Sequence, residues 1–242
     1  MDDPGKTSTA LPKRFYQRVD VADGDGGFAL LLDGKPVRTP GKKQLLLPSR
    51  ALADAVAGEW RAQKERIDPA TMPLTKLANS AIDGVSGRED DVIGDILNYA
   101  GSDLLCYRAN GPHGLIEAQQ ALWDPVLAWA ASALDAPFVL AEGIVHVAQP
   151  GASIDRVRAA LKGHDSFGLA ALHVMTGLTG SALLALAVAR GRMTPDEAWK
   201  AAHVDEDWQI AQWGEDAEAA SRRSARHRDF AAAAHALALL EA

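Results

Sequence analysis

A segment bracketed by prolines, Asp68-Pro69-Ala70-Thr71-Met72-Pro73, divides this chain of 242 residues into two parts. Proline lacks a backbone N–H and disfavours helical geometry in the residue before it, so neither a helix nor a sheet continues through this segment. Apolar residues come in short runs before it and recur at helical spacing beyond it. We therefore predict an α+β fold, with a small β-rich N-terminal domain over residues 1–73 and a larger, mainly α-helical C-terminal domain over residues 74–242.

The N-terminal part shows short strand patterns and a single helix pattern. Residues 1–12 are polar and interrupted by proline and glycine, which is typical of a loose chain end. Apolar runs bounded by turn residues predict strands at residues 14–19, 28–32 and 44–47. Ser49 is a favourable helix N-cap, and apolar residues recur at helical spacing from Leu52 to Ile67. We expect a small sheet with one helix laid on it, and Trp60 in its core.

Helix patterns fill most of the C-terminal part. Those before residue 138 cover residues 92–99 and 115–134. A bend is expected at Pro125 in the second of them, and residues 138–148 look extended. The segment Thr194-Pro195-Asp196-Glu197 predicts a capped helix start. From about residue 205, a single alanine-rich helix is predicted to run toward the C-terminus.

One uncharged segment, from Phe167 to Ala189, is long enough to span a bilayer. It also contains His173, and Gly177 and Gly180 divide it near its middle. Polar and helix-breaking residues at these places favour two buried core helices that meet at residues 176–181. We therefore predict no membrane span.

Charge and cysteine content restrict the partners and the compartment. A formal net charge of -7 argues against a general nucleic-acid binder, which usually presents a basic face. Cys106 is the one cysteine of the chain, so no internal disulfide can form and a reducing compartment is favoured. The residues after Met1 have the build of neither a secretory signal nor a transit peptide. The expected location is a bacterial cytoplasm.

The sequence shows no motif of a catalytic or cofactor site. Gly24-Asp25-Gly26-Gly27 opens no helix, so its amides have no helix N-terminus on which to hold a phosphate, and a turn is predicted. The seven histidines include no pair at metal-ligand helical spacing with a carboxylate between them. Cys106 follows Leu105 and is interpreted as a small buried residue. We therefore predict no catalytic residue, no cofactor and no metal.

Six short stretches follow one another in a fixed order between residues 14 and 220. They are Leu32-Asp33-Gly34-Lys35-Pro36-Val37-Arg38-Thr39-Pro40, Glu59-Trp60-Arg61-Ala62-Gln63, Met72-Pro73-Leu74-Thr75 with Ala78-Asn79, Asp103-Leu104-Leu105-Cys106-Tyr107-Arg108, Trp123-Asp124-Pro125, and Glu206-Asp207-Trp208-Gln209 running to Trp213-Gly214-Glu215-Asp216. Together they resemble the family of assembly chaperones for the alpha subunit of F-type ATP synthase, found in mitochondria and alphaproteobacteria. Pro125 and Gly214 are both expected inside helices. Both residues disfavour helix, so chance would not readily place them there, and their presence strengthens the resemblance.

The resemblance implies a β-rich domain followed by a helical one, and a function that needs binding and no catalysis. An unpaired ring subunit exposes large apolar patches and tends to aggregate. A chaperone of this kind would cover the ring interface of the free alpha subunit until the beta subunit replaces it. The acidic N-terminus indicates the bacterial branch, whereas organellar relatives would act in the mitochondrial matrix.

Two other functions remain open at this point. One is a hydrolase-like enzyme with an unrecognised carboxylate site, which a perturbed carboxylate in a deep pocket around Glu206 would favour. The other is a scaffold subunit of a complex, which permanent co-purification with that complex would favour. Both differ from a chaperone, which must bind its client reversibly.

The partner-binding candidates centre on an acidic stretch from Asp205 to Glu218, which holds six acidic residues, no basic residue and two tryptophans. On a helical wheel, Glu206, Ile210 and Trp213 share one stripe. Trp208 lies about 140° from Trp213 on the same wheel. The carboxylate on the stripe is either a contact residue at the rim or a buried and paired group. With two residues from the fourth family stretch, the candidates are Glu206, Trp208, Gln209, Trp213, Asp216, Asp103 and Arg108.

Overall fold

A computed structural model of the chain describes residues 11–143 and 147–240. The fold is α+β, as predicted: a small antiparallel sheet lies near the N-terminus, and helices make up most of the remainder. The predicted loose tail over residues 1–12 falls almost wholly outside the described residues. So do residues 144–146 of the segment predicted to be extended. The domain boundary at residue 73 stays a prediction.

The sheet is built around one central strand. Its strands are β1 (Val19–Gly24), β2 (Gly27–Leu32), β3 (Lys35–Pro36) and β4 (Leu46–Leu47). β2 pairs antiparallel with β1 along one edge and with β3 and β4 along the other. Asp25 and Gly26 form the turn between β1 and β2, and Gly26 takes a φ of 85°, which favours glycine. Because this turn is short, β2 pairs with the residues directly before the turn, Val19–Gly24. The strand predicted at residues 14–19 is therefore wrong except for Val19.

One helix, α1 (Arg50–Ala62), covers the sheet with its apolar face buried. Ser49 caps it, because its hydroxyl oxygen accepts a hydrogen bond from the N–H of Leu52 at 3.1 Å. Trp60 is half-buried, so its expected place in the core is only partly right. Its ring packs on Tyr16 with 5.6 Å between centroids. The pair lies at the border of the core that the sheet forms with α1.

The remaining elements follow in chain order. They are α2 (Pro73–Ser80), a π-helical turn (Ala81–Val85), α3 (Glu89–Gly101), β5 (Tyr107–Arg108), α4 (His113–Ala133), β6 (Ala141–Glu142), α5 (Gly151–Leu161), α6 (Ser166–Thr179), α7 (Ala182–Ala189), α8 (Pro195–Ala202), α9 (Val204–Trp213) and α10 (Ala217–Leu240). β5 and β6 pair in parallel, and within the described residues of the segment 138–148 only Ala141–Glu142 forms a strand. α4 continues through Pro125 without a break. α8 begins with the predicted capping box at Thr194.

Two buried helices, α6 and α7, form the centre of the helical part, as predicted for the uncharged segment. They meet at Gly180, which has a φ of 69°, and Ser181 caps α7 by accepting from the N–H of Leu184 at 3.0 Å. α6 packs against α3 and α10. Across the part of the chain that the structure describes, no helix combines the length and apolar character needed to cross a bilayer.

The long helix predicted from about residue 205 is two helices. α9 ends at Gly214, where the φ of 87° is one that L side chains rarely adopt. Asp216 then starts α10, because its carboxylate accepts from the N–H of Ala219 at 2.8 Å. The expectation that Gly214 lies inside a helix is therefore wrong. Glycine ends one helix and aspartate caps the next.

Candidate partner-binding surface

The turn between α9 and α10 presents an exposed tryptophan. We call this turn, Trp213–Asp216, the hairpin tip, because Arg223 of α10 reaches back across it to Asp207 of α9. Trp213 is 79% exposed, more than any other large hydrophobic side chain in the described residues. A cleft of about 260 Å³ lies beside the tip, with Ile210 among the residues that line it. The tip therefore combines an exposed aromatic ring with an open cleft that both apolar and charged side chains line.

The stripe predicted on α9 ends in solvent. Val204, the buried residue of this helix, lies on the opposite side of the helix from Trp213. Ile210 is half-buried beside α10, and Trp213 lies in solvent. The helix ends directly after Trp213, so no further turn of α9 brings its apolar stripe back to the core. This arrangement leaves apolar surface open to a partner.

One arginine organises the carboxylates of α9. The side chain of Arg223 is only 19% exposed, and its Nη2 lies 2.5 Å from Oδ1 of Asp207. Its Nε lies 4.0 Å from Oε2 of Glu206, whose side chain is 40% exposed. Asp207 therefore holds the guanidinium, and Glu206 keeps a carboxylate that is open to solvent. Of the two interpretations of Glu206, the geometry favours a rim position over burial with a full partner.

Trp208 points away from the hairpin tip, toward α4. The Trp208 ring packs against the first turn of α4, where a Cβ atom added to Gly114 would lie 2.5 Å from its Cη2. A second tie joins the same helices, since Gln119 Nε2 of α4 donates to Asp205 Oδ1 at 2.7 Å. Gln209 is exposed and also lines the cleft. α9 is thus fixed to α4 on one side and open on the other.

Asp103 does not belong to the surface. It is 0% exposed, and its carboxylate accepts hydrogen bonds from the N–H groups of Leu105 at 3.2 Å and Leu183 at 3.1 Å. Burial raises the pKa of this carboxyl to about 6, and the hydrogen bonds it accepts oppose that rise. Its position at the N-terminus of α7 makes it a structural cap. The structure therefore corrects its assignment as a contact residue: a partner cannot reach it in this conformation.

Arg108 is also engaged internally. Its side chain is 10% exposed, with Nη2 at 2.6 Å from Asp124 Oδ1 and Nε donating to the carbonyl of Leu105 at 3.0 Å. The guanidinium carbon lies 5.3 Å from the ring centroid of buried Trp123. These contacts hold β5 against α4. Asp103 and Arg108 therefore lie close together, since both form hydrogen bonds with Leu105. Neither of them lies with the candidate residues of α9 and the hairpin tip.

Arg223 is the residue of this surface that the sequence did not single out. Its neighbour Arg222 instead pairs with Glu218 on the same helix, at 2.5 Å. The role of Arg223 depends on the reversal of the chain at Gly214, which the single-helix prediction left out. The glycine, followed by an aspartate two residues later, was the available signal.

The described residues contain no arrangement that suggests bound metal. Within residues 11–143 and 147–240, no three His, Cys, Asp or Glu side chains come close enough together to hold an ion. Burial raises the pKa of the Cys106 thiol to about 12, so that thiol is protonated at neutral pH and is a poor nucleophile. The surface chemistry of this region is that of contact: an aromatic ring, carboxylates and an amide.

The chain is similar to known proteins in both sequence and fold. The family model described as ATP12 chaperone protein matches residues 13–131. The chain is similar to a candidate chaperone from Agrobacterium tumefaciens, with 53% identity, a TM-score of 0.92, and coverage of 95% of this chain and 87% of that one. It is also similar to Atp12 from Paracoccus denitrificans, with 42% identity, a TM-score of 0.89, and coverage of 95% and 98%. A point variant of that Paracoccus protein matches at 41% identity with a TM-score of 0.88.

Proposed function

Because the chain belongs to the ATP12 chaperone family, we propose that it binds the free alpha subunit of F-type ATP synthase. The chaperone shields the ring interface of that subunit until the beta subunit replaces it. The observation that carries the proposal is Trp213, 79% exposed at the hairpin tip. Its proposed place of action is a bacterial cytoplasm, where the single Cys106 stays reduced.

The hairpin tip has the composition of a protein-binding hot spot. A tryptophan left in solvent gives up the free energy of burying its ring, and a partner that covers it recovers that free energy. Tryptophan is among the residues that dominate the binding energy of protein interfaces. Carboxylates at the rim, such as Glu206, add electrostatic complementarity, which mainly sets the rate of encounter and the choice of partner.

Reversible binding explains the job without a catalytic step. A closed ring buries the interface of each subunit, so the same interface is open only in the free subunit. The beta subunit can replace the chaperone if it binds the alpha subunit more tightly than the chaperone does. Glu206 lies beside an open cleft and not in a deep pocket, which gives the hydrolase-like alternative no support.

The proposal is tested by retention on the immobilised protein. Purified alpha subunit should be retained, whereas free beta subunit and the assembled synthase should pass through. Trp213→Ala should weaken the retention of the alpha subunit about tenfold or more, since hot-spot aromatic residues contribute at least that much. Phe15→Ala is the matched control, because Phe15 is also an exposed aromatic residue, at 73%, and lies before the sheet.

Two results would contradict the proposal. Equal retention of the free alpha subunit and of the assembled synthase would mean that the bound surface stays open in the ring. Retention of an assembled complex that does not exchange with added beta subunit would instead support the scaffold alternative.

A further inference from the structure

The outer face of α4 forms the floor of a continuous groove. Ala118, Ala121, Leu122 and Pro125 follow the 3–4 spacing of one helix face. They line two clefts of about 390 and 330 Å³, one against α9 and one against α8. Both clefts contain Ala121, Leu122 and Lys200, so they join end to end. We call the joined clefts the α4 groove.

One wall of the α4 groove is held rigidly. Trp208 of α9 lines it, and this ring lies so close to Gly114 that a Cβ atom there would be 2.5 Å away. The hydrogen bond between Gln119 and Asp205 fixes the same pair of helices. A wall that does not have to be ordered when a ligand binds costs less conformational entropy. The groove is therefore preformed.

The floor is shallow because its side chains are short. Alanine at positions 118 and 121 lets the backbone of a ligand approach α4 closely, since the distance between packed helices depends on the side chains at the contact. Pro125 has no N–H to give to the carbonyl of Ala121, which leaves an acceptor in the floor without its usual helical donor. An apolar floor beside a rigid wall is a form that accepts an amphipathic helix.

The charge in the middle of the groove is positive. Lys200 is exposed, lines both clefts, and forms no ion pair with any residue in the described ranges. The nearby carboxylates are already engaged. Asp207 holds Arg223 at 2.5 Å, and Glu197 accepts from the N–H of Thr194 at 2.7 Å. The groove is thus cationic at its centre, although the chain is acidic as a whole.

We propose that the α4 groove binds an amphipathic helix of the client, whose apolar face packs on α4 and whose aspartate or glutamate pairs with Lys200. The inference rests on the proposed chaperone function, of which it is a second contact site. α9 separates the two sites, since Trp208 faces the groove and Trp213 the hairpin tip. A client segment with a carboxylate suits the groove and is repelled by the acidic tip, so the two sites together fix the orientation of the client.

Ala121→Glu tests the groove directly. Ala121 is exposed, so the new side chain should leave the melting temperature unchanged while it fills the floor and neutralises Lys200. We expect retention of the alpha subunit to weaken about tenfold or more. Ala131→Glu is the matched control, because Ala131 is an exposed alanine of the same helix outside both clefts. Lys200→Glu should reproduce the loss, and Lys200→Arg should retain binding.

Carbodiimide coupling identifies the occupant. A carbodiimide joins an amine to a carboxylate with which the amine is in contact. In the complex, the reagent should therefore link Lys200 to an aspartate or glutamate in a helix of the client. A link from Lys200 to a second copy of this chain would overturn the proposal. So would equal retention by Ala121→Glu and Ala131→Glu when the wild-type protein binds. Failure of the wild-type protein to retain the alpha subunit would instead overturn the proposed function, and this inference with it.

Discussion

Glu59, near the end of α1, binds Thr75, in the first turn of α2, through two hydrogen bonds to one carboxylate oxygen. Oε2 of Glu59 accepts from the N–H of Thr75 at 2.8 Å and from its hydroxyl at 2.7 Å. Oε1 accepts from the N–H of Leu74 at 2.7 Å. The carboxylate therefore caps α2 from outside that helix, across the proline segment that joins α1 to α2.

Glu59→Ala should lower the free energy of unfolding by about 2–4 kcal/mol, because it leaves buried donors of Leu74 and Thr75 without an acceptor. Urea unfolding at pH 7 measures the change. Glu65→Ala is the control, since Glu65 is an exposed carboxylate a few residues later. Equal stability of the two variants would mean that water replaces the cap at no cost.

The buried carboxyl of Asp103 should make stability depend on pH. Its pKa is raised from 3.8 to about 6, so the native state binds more protons than the unfolded state between about pH 4 and pH 6. Stability from this group is therefore highest below that window and falls as the pH rises through it, by about 1 kcal/mol from pH 5 to pH 7. Urea unfolding at both pH values should show a fall in stability that is larger in the wild-type protein than in Asp103→Asn by about this amount. The same pH dependence in both proteins would contradict the assignment.

Glu206→Lys should weaken binding of the alpha subunit about tenfold, or ~1.4 kcal/mol, with most of the effect on the association rate. The fold should survive, because Glu206 is 4.0 Å from Arg223 and Asp207 keeps the guanidinium. Binding kinetics and a melting curve of the same variant separate the two effects. Asp95→Lys, an exposed charge reversal on α3, is the control. A collapsed melting curve would make Glu206 a structural residue.

Trp60→Ala should act on the fold and leave client binding intact. The cost should be about 2–3 kcal/mol, less than the 3–5 kcal/mol typical of a fully buried aromatic ring, because Trp60 is half-buried. The main loss is the packing of the Trp60 ring on Tyr16. The hydrogen bond from the hydroxyl of Tyr16 should remain, because its acceptor is the backbone carbonyl of residue 60, which alanine also has. Thermal unfolding measures the change. An unchanged melting temperature would place the ring outside the packed region.

The sequence predicted those features of the fold that depend on residues close together in the chain. The break between α6 and α7 and the capping box at Thr194 both come from residues adjacent in sequence. Gly214 carried the same kind of signal, but the strong helix pattern on both sides of it outweighed the signal. The role of Asp103 could not be predicted, because one of its donors, Leu183, lies 80 residues away. The position of Trp213 in solvent likewise depends on where α10 packs.

The backbone at Gly214 has a handedness that matters for the hairpin tip. Its φ of 87° and ψ of 170° are the mirror image of an extended L residue. A D-alanine placed there by chemical ligation should keep the turn, whereas an L-alanine should strain it and move the neighbouring indole. The direction of the Trp213 ring therefore depends on the residue that directly follows it, and that residue is achiral.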